Sequence, residues 1–139
     1  MRWFWVQNEG KLYDGNGAVC VGYSGFAVGK NNPAYEEVPD IGPIPIGTWG
    51  IGAAENNPQL GPIARPLTPL DGTDTHGRDG FFIHGDSIEH PGAASHGCVI
   101  LPPAIREEMN DGDTLTVVSS NSDLAAAMEE TNGNDQSAA

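Results

Sequence analysis

The sequence has few basic residues. Six Lys and Arg side chains stand against 19 Asp and Glu in 139 residues, which gives a formal net charge of −13 at pH 7. A chain this acidic repels nucleic acid and anionic membrane surfaces. We therefore expect no nucleic-acid partner.

Long apolar runs are also missing. No stretch of about 18 apolar residues occurs, so the sequence predicts no membrane span. The apolar run "WFWV" near the N-terminus is too short for the core of a signal peptide, and no small-residue cleavage site follows it. We expect either a cytoplasmic protein or one exported by a route that needs no cleaved signal.

Cysteine is scarce, which excludes a disulfide framework. The chain has two cysteines, too few to staple a domain of this length. Cys20 lies in the alternating apolar run "GAVCVGYSG" and is interpreted as a small buried hydrophobic residue. A disulfide between Cys20 and Cys98 is the alternative, and it would consume the thiol of Cys98.

Glycine and proline are abundant instead, with 19 Gly and 11 Pro, and they favour short strands joined by turns. The sequence predicts strands in "RWFWVQ", in "LYDGNGAVCVGYSGF" around a turn, from Ile46 through Ile51, in "GFFIHG" and in "TLTVV". Positions 53–80 hold four prolines and are interpreted as long connections with one short strand near 64–67. The segment "PPAIREEMNDG" is the best helix candidate.

These elements predict a mainly β fold in one domain spanning residues 1–119, with one short helix after Cys98. Residues 120–139 are polar and acidic and contain no Lys or Arg. We expect this segment to be a disordered tail whose removal changes stability by less than about 0.5 kcal/mol.

The chemically informative stretch is "IHGDSIEHPGAASHGC" at positions 83–98, which contains three of the four histidines and one of the two cysteines. A cysteine becomes a nucleophile as its thiolate, which a neighbouring imidazole promotes. Gly97 precedes the sulfur and permits a tight turn that aims successive N–H groups at one point, as in an oxyanion hole. His84 follows the apolar "FFI", so a rigid strand would hold it as a general base.

The pair "HG" at 84–85 and "SHGC" at 95–98 resembles the signature of the L,D-transpeptidase catalytic domain, also called YkuD-like. The blocks "GYSG" at 22–25, "GPIPIGTW" at 42–49 and "GRDGFFIHGDS" at 77–87 resemble one branch of that family. That branch contains type VI secretion effectors and similar phage or prophage proteins. The resemblance implies a β-sandwich or barrel that needs no cofactor.

The resemblance also implies residue roles. Cys98 matches the nucleophile, and His84 matches the general base, with the carbonyl of Gly85 orienting its imidazole. An imidazole within hydrogen-bond reach would lower the pKa of the Cys98 thiol. Ser95 and His96 match the residues before the glycine. The backbone N–H groups of His96, Gly97 and Cys98 would form the oxyanion hole.

Two departures from the family pattern concern the substrate. The gap between His84 and Ser95 is short, which implies a trimmed lid. Ile100 stands where a polar residue two positions after the cysteine is common, and Arg78 could instead hold the substrate carboxylate. The candidate substrate-binding set contains three further residues: Tyr23, Trp49 and Asp86. Core or turn roles are the simplest interpretation of these residues, but they could also line a peptide groove.

The implied function is modification of peptidoglycan stem peptides by a monomer acting in the periplasm or on the cell wall. An effector would need a secretion-system component and an immunity protein as partners, whereas a phage protein would not. Two alternatives stay open. One is a zinc-binding hydrolase, because His84, His90, His96 and Cys98 carry suitable ligand atoms. The other is a peptidoglycan-binding module without activity.

Overall fold

A computed structural model of the chain describes residues 1–129. Ten strands and one short helix, α1, make up most of the regular structure of this part. Their bounds are β1 Arg2–Val6, β2 Lys11–Asp14, β3 Gly17–Val21, β4 Tyr23–Ser24, β5 Gly47–Ile51, β6 Glu55–Asn57, β7 Gly61–Pro69, β8 Phe82–His84, β9 Val99–Ile100, α1 Pro103–Glu108 and β10 Thr114–Val118.

The strands form one mixed sheet in the order β3-β2-β1-β10-β5-β7-β8-β9-β4, with β6 paired to β7. The pairs β1/β10 and β8/β9 are parallel, and the other neighbours are antiparallel. The predicted mainly β fold with a short helix after Cys98 is confirmed. In the described residues, no helix has the length and apolar character that crossing a membrane requires.

The core lies on one face of the curved sheet and contains all three tryptophans. Trp3 and Trp5 of β1 and Trp49 of β5 are each at most 1% exposed. They pack in one cluster with Leu115 and Ile83, among others. Since burial of large aromatic side chains contributes most per residue to the hydrophobic effect, this cluster provides a rigid base for β8 and β9.

Strand β7 is longer than the sequence suggested. Nine residues, Gly61–Pro69, form a strand where we expected one of about four within long connections. Proline is expected at strand edges because it donates no hydrogen bond. Pro66 is tolerated because its carbonyl still accepts from the N–H of Gly52 at 2.8 Å, and the Gly52 carbonyl accepts instead from Nε of Arg65 at 2.9 Å.

The predicted tail differs from the structure in its described part. Residues 124–129 are helical, and Leu124 is 7% exposed. It packs with Phe4, Val6 and Val118 in a second apolar cluster on the opposite face of β1 and β10. The apolar run of β1 is continuous rather than alternating, so both faces of this strand need cover. The remainder of the predicted tail, residues 130–139, lies outside the described residues.

This packing changes the expected result of altering the tail. We expect Leu124→Ala to lower the free energy of unfolding by about 2 kcal/mol, the lower end for buried leucine, because the site lies at the rim of the fold. Val28→Ala, at a 64% exposed position, should change it by less than about 0.5 kcal/mol. Denaturant unfolding of both variants measures the difference. Equal stability of the two variants would show that the segment does not contribute to the core.

Candidate active site

Cys98 stands one position before β9, at the end of the "SHGC" turn. Its sulfur lies 3.7 Å from the carbonyl oxygen of Gly80, to which the thiol can donate. Burial raises the pKa of Cys98, while a hydrogen bond from the Phe82 backbone and the positive charge of Arg78 lower it in part. The net direction is upward, so the thiol is protonated at neutral pH.

His84 is the last residue of β8 and is 3% exposed. Its Nδ1 lies 2.8 Å from the carbonyl oxygen of Gly85, so Nδ1 carries the proton and Nε2 is the basic nitrogen. Burial lowers the pKa of His84. The Gly85 carbonyl and Asp86 oppose this shift, and the charge of Arg106 adds to it. The imidazole is therefore neutral at neutral pH.

The strand register brings these two residues to one face of the sheet. In the parallel pair β8/β9, Ile83 pairs with Val99 and His84 with Ile100. Since side chains alternate along a strand, Cys98 shares its face with Phe82 and with His84, two positions further along. Within residues 1–129 no hydrogen bond joins the Cys98 sulfur to the His84 ring. The expected lowering of the thiol pKa by the imidazole is therefore absent, because the sulfur of the partly buried Cys98 contacts Gly80 instead.

Two buried serines hold the turn before Cys98. Ser95 donates to the carbonyl of Cys98 at 2.5 Å and accepts from the N–H groups of Gly25 and Gly97 at 2.9 and 3.1 Å. Ser24 donates to the carbonyl of Gly97 at 3.0 Å. Ser95 thus positions the loop, and Cys98 is fixed through its own backbone carbonyl.

Gly97 has a φ of +134°, and a Cβ there would lie 2.5 Å from Nη2 of Arg78. Only glycine fits this conformation and this space. Its N–H is bound to Ser95, which removes one of the three groups predicted to form the oxyanion hole. Among residues 1–129, the N–H groups of His96 and Cys98 donate no hydrogen bond, so these two can receive an oxyanion.

His96 is exposed and borders the site. Its ring stacks on Phe26 with a centroid distance of 5.0 Å, and its Nδ1 lies 3.1 Å from the carbonyl oxygen of Asp40. His96 and His84 line a cavity of about 600 Å³. The other side chains of this cavity combine apolar and polar surface and include Leu60, Ala93, Ala94, Asp86 and His90.

Arg78 does not offer the free guanidinium that we expected for a substrate carboxylate. It is 8% exposed, and its two terminal nitrogens donate to the carbonyls of Glu36, Gly42, Pro43 and His96 at 2.7 to 3.4 Å. The guanidinium also lies over the ring of Phe81. Arg78 therefore fastens the loop around position 42 to the "SHGC" turn, and its charge acts on Cys98 at the same time.

The other three candidates for substrate binding have different positions. Trp49 is fully buried, donates to the carbonyl of Pro45 at 3.1 Å and packs against Phe81, so it is a core residue and cannot line the groove. Tyr23 donates to Asp86 at 2.6 Å and accepts from the N–H of Ala94. Asp86 also accepts from the N–H groups of residues 87 and 92, so this pair closes the short loop between His84 and Ser95.

Burial and neighbouring groups explain the protonation states of Tyr23 and Asp86. Burial and the hydrogen bond to Asp86 raise the pKa of Tyr23 to about 12. Burial raises the pKa of Asp86, but the hydrogen bonds from Tyr23, Gly92 and Ser87 outweigh it and the net direction is downward. Lys30, whose ammonium lies 4.5 Å from the centre of the Tyr23 ring, adds to that lowering. Tyr23 is therefore the donor and Asp86 the charged acceptor.

The histidines and cysteines do not assemble into a zinc site. Within the part of the chain that the structure describes, no group of three or more His, Cys, Asp or Glu side chains is arranged to hold a metal ion. His90 is an exposed loop residue at the cavity rim. His76 pairs with Glu36 at 2.9 Å, away from these residues. Both cysteines are free thiols, which excludes the alternative disulfide in this structure.

Sequence reasoning missed Arg106 of α1. It is 5% exposed and donates to the carbonyls of Leu101, Pro62 and Ile63. Its Nη2 would lie 2.8 Å from a Cβ at position 85, so Gly85 is needed for space as well as for its carbonyl. In the sequence Arg106 is one basic residue within the predicted helix, and no local signal distinguished it.

The protonated state of Cys98 makes a testable prediction. Because burial raises the pKa of its thiol, alkylation of Cys98 by iodoacetamide should keep accelerating above pH 9 and be slow at pH 7. Rates measured in a Cys20→Ala background report on Cys98 alone. A plateau of the rate below pH 8 would instead show a thiolate stabilised by His84.

The chain is similar to a known family in sequence and to a solved structure in fold. The model of the Tlde1 domain family matches residues 18–113, which is more than half of the chain. No curated protein matches the chain. Among solved structures, the fold is similar to an L,D-transpeptidase (Yku) from Stackebrandtia nassauensis, with a TM-score of 0.52 and 18% identity over 86% of this chain.

That likeness covers 55% of the solved protein, so the present chain corresponds to about half of it. At this identity the comparison shows the fold, and it confirms the predicted L,D-transpeptidase-like architecture. The family match covers the strand that carries His84, the "SHGC" turn and helix α1. The chain belongs to the Tlde1 domain family.

Proposed function

We propose that the chain modifies peptidoglycan as a cysteine acyltransferase acting on stem tetrapeptides. One observation carries the proposal. A cysteine and a neutral, oriented histidine lie on the same face of two adjacent parallel strands, with the histidine lining a cavity of about 600 Å³. Family membership and the L,D-transpeptidase-like fold support the same class of reaction.

The proposed first half-reaction forms a thioester. Nε2 of His84 takes the proton of the Cys98 thiol as the sulfur attacks the carbonyl carbon of the third stem residue, meso-diaminopimelate in the substrate we favour. The N–H groups of His96 and Cys98 would stabilise the oxyanion. When the carbon–nitrogen bond breaks, the imidazolium returns the proton to the amine of the leaving D-alanine.

In the second half-reaction an amine or water attacks the thioester, and His84 removes its proton. Attack by an amine gives transpeptidation or exchange of the terminal D-amino acid. Attack by water gives L,D-carboxypeptidase activity. In both cases the thiol is regenerated, and the attacking amine or water is the only co-reactant consumed.

We further propose that the chain acts in the periplasm or on the cell wall, as an antibacterial effector of a type VI secretion system or as a phage protein. An effector would have a secretion-system component and an immunity protein as partners. Its acidic surface fits neither nucleic acid nor an anionic membrane.

Mass analysis of muropeptides tests the enzymatic proposal. Purified protein is incubated with disaccharide tetrapeptides, with and without added D-methionine. Loss of D-alanine shows carboxypeptidase activity, replacement by D-methionine shows exchange, and a dimer shows transpeptidation. Unchanged tetrapeptide under all conditions, with correctly folded protein, would contradict the proposal, and binding without turnover would favour the module without activity.

A further inference from the structure

The proposed substrate carries a negative charge next to its reacting bond, and the protein is strongly acidic. The terminal D-alanine has a free carboxylate two bonds from the nitrogen that His84 must protonate. A chain with a net charge of −13 repels this group unless a cation lies near it. The cation must lie beside His84.

Arg106 is buried and forms no salt bridge among the described residues, although the charge of Glu107 acts on it. Its Nε donates to the carbonyl of Leu101, and its Nη1 donates to the carbonyls of Pro62 and Ile63. Arg106 is 5% exposed. Among the described residues, none forms a salt bridge with its guanidinium and none accepts a hydrogen bond from its Nη2. Arg65 and Arg78 are also buried and form no salt bridge within residues 1–129, so burial alone does not mark Arg106. The unbound Nη2 of Arg106 can take an anionic partner without losing a hydrogen bond inside the protein.

The unpartnered nitrogen lies at the catalytic strand. Nη2 would be 2.8 Å from a Cβ at position 85, so it lies against Gly85, the residue after the general base. Its charge reaches the imidazole, because Arg106 contributes to the lowered pKa of His84. Any larger residue at position 85 would separate this nitrogen from the catalytic strand.

Arg106 also faces open space that continues from the site. It lines a cavity of about 320 Å³ together with Gly85 and Asp86. This cavity shares Gln59, Leu60 and Gly85 with the cavity of His84. A ligand whose reacting carbonyl lies near His84 can therefore extend along one continuous surface to Arg106.

The nearby charged groups do not compete for this role. Asp86 accepts from Tyr23 and two backbone N–H groups, so its oxygens are occupied. Glu89, the other acid of the cavity, is exposed. Arg78 borders a cavity lined by Asp40, Asp79 and His96, but its terminal nitrogens are bound to carbonyls and offer no free donor group.

We propose that Arg106 binds the carboxylate of the leaving D-alanine through Nη2, and so makes the enzyme specific for peptides that end at that residue. The inference rests on the proposed function. It gives Arg106 the role for which the sequence suggested Arg78, and it gives Gly85 a second role as the opening through which the guanidinium reaches the groove.

The test compares two substrates that differ only in charge: the tetrapeptide with a free C-terminal carboxylate and the same peptide with a C-terminal carboxamide. The wild type should prefer the acid by about tenfold to a hundredfold in kcat/KM, the range for a hydrogen bond to a charged group. In Arg106→Gln this preference should disappear, because kcat/KM should fall for the acid and stay unchanged for the amide. Arg106→Lys should keep part of it.

Arg78→Lys is the matched control, because it should slow both substrates equally by disturbing the turn. Thermal unfolding checks that each variant is folded. If Arg106→Gln does not fold, the wild-type preference and its reduction in Arg106→Lys still decide. Equal kcat/KM for acid and amide in the wild type would overturn the proposal.

A binding measurement separates failure of this proposal from failure of the proposed function. Calorimetry on Cys98→Ala with both peptides requires no turnover. Tighter binding of the acid, lost in the double variant with Arg106→Gln, supports the carboxylate site even if the wild type is inactive on both peptides. Equal binding of acid and amide overturns the carboxylate site, whatever the activity.

Discussion

Cys98→Ala is expected to lower turnover of stem tetrapeptides at least about a thousandfold without loss of the fold. The thiol is the sole group on this face of β8 and β9, within the described residues, that can form an acyl intermediate beside His84. Without it, the remaining N–H groups can polarise a carbonyl but cannot attack it. The loss should appear almost entirely in kcat.

Cys20→Ala is the matched control for this result. Cys20 is a free, half-buried thiol on β3 that packs against the core, and burial, followed by the charge of Glu108, raises its pKa. Its replacement should leave most of the activity. Release of D-alanine by both variants is measured alongside their thermal unfolding. Near wild-type turnover by a folded Cys98→Ala variant would exclude the cysteine mechanism.

The sequence predicted Cys98 and His84 as the two reacting groups from a local signal. "SHGC" and "HG" each lie within a few residues, and the structure brings them together because β8 and β9 pair in parallel. The apolar run before His84 also predicted a strand, and the structure has β8 there. These features depend on residue type and short spacing, which a sequence displays directly.

Long-range contacts explain where the sequence was a poor guide. Arg78 and Arg106 are equally arginines in the sequence, and only the positions of backbone carbonyls from distant segments distinguish them. The carbonyls around Arg78 occupy both of its terminal nitrogens, whereas those around Arg106 leave Nη2 open. No local pattern encodes this difference, since most of the acceptors lie 35 to 44 positions away along the chain.

The motif also did not determine the protonation states of Cys98 and His84. The "SHGC" pattern favoured a thiolate held by His84, but burial has the largest effect on the pKa of both groups and drives each towards its neutral form. These directions predict a neutral pair in the free protein, so under the proposed mechanism the thiolate forms only as substrate binds. The imidazole then acts as a general base on a thiol, rather than as the counter-ion of a preformed thiolate.

This neutral pair determines what His84→Gln should do. Glutamine fills much of the same space but cannot take a proton, so turnover should fall about a hundredfold to ten-thousandfold. His90→Gln, at an exposed position on the rim of the same cavity, should change turnover less than about tenfold. The comparison separates proton transfer from a general disturbance of the cavity.

The pH dependence gives the His84 prediction its sharpest form. Activity requires the neutral imidazole, and burial lowers the pKa of His84 below its ordinary value of 6.5. Wild-type kcat/KM should therefore stay high as pH falls through 6.5 and decline only below it, as the ring becomes protonated. His90→Gln should keep this acid limb, whereas the residual activity of His84→Gln should lack it. An acid limb that persists in His84→Gln and vanishes in His90→Gln would assign the base to His90.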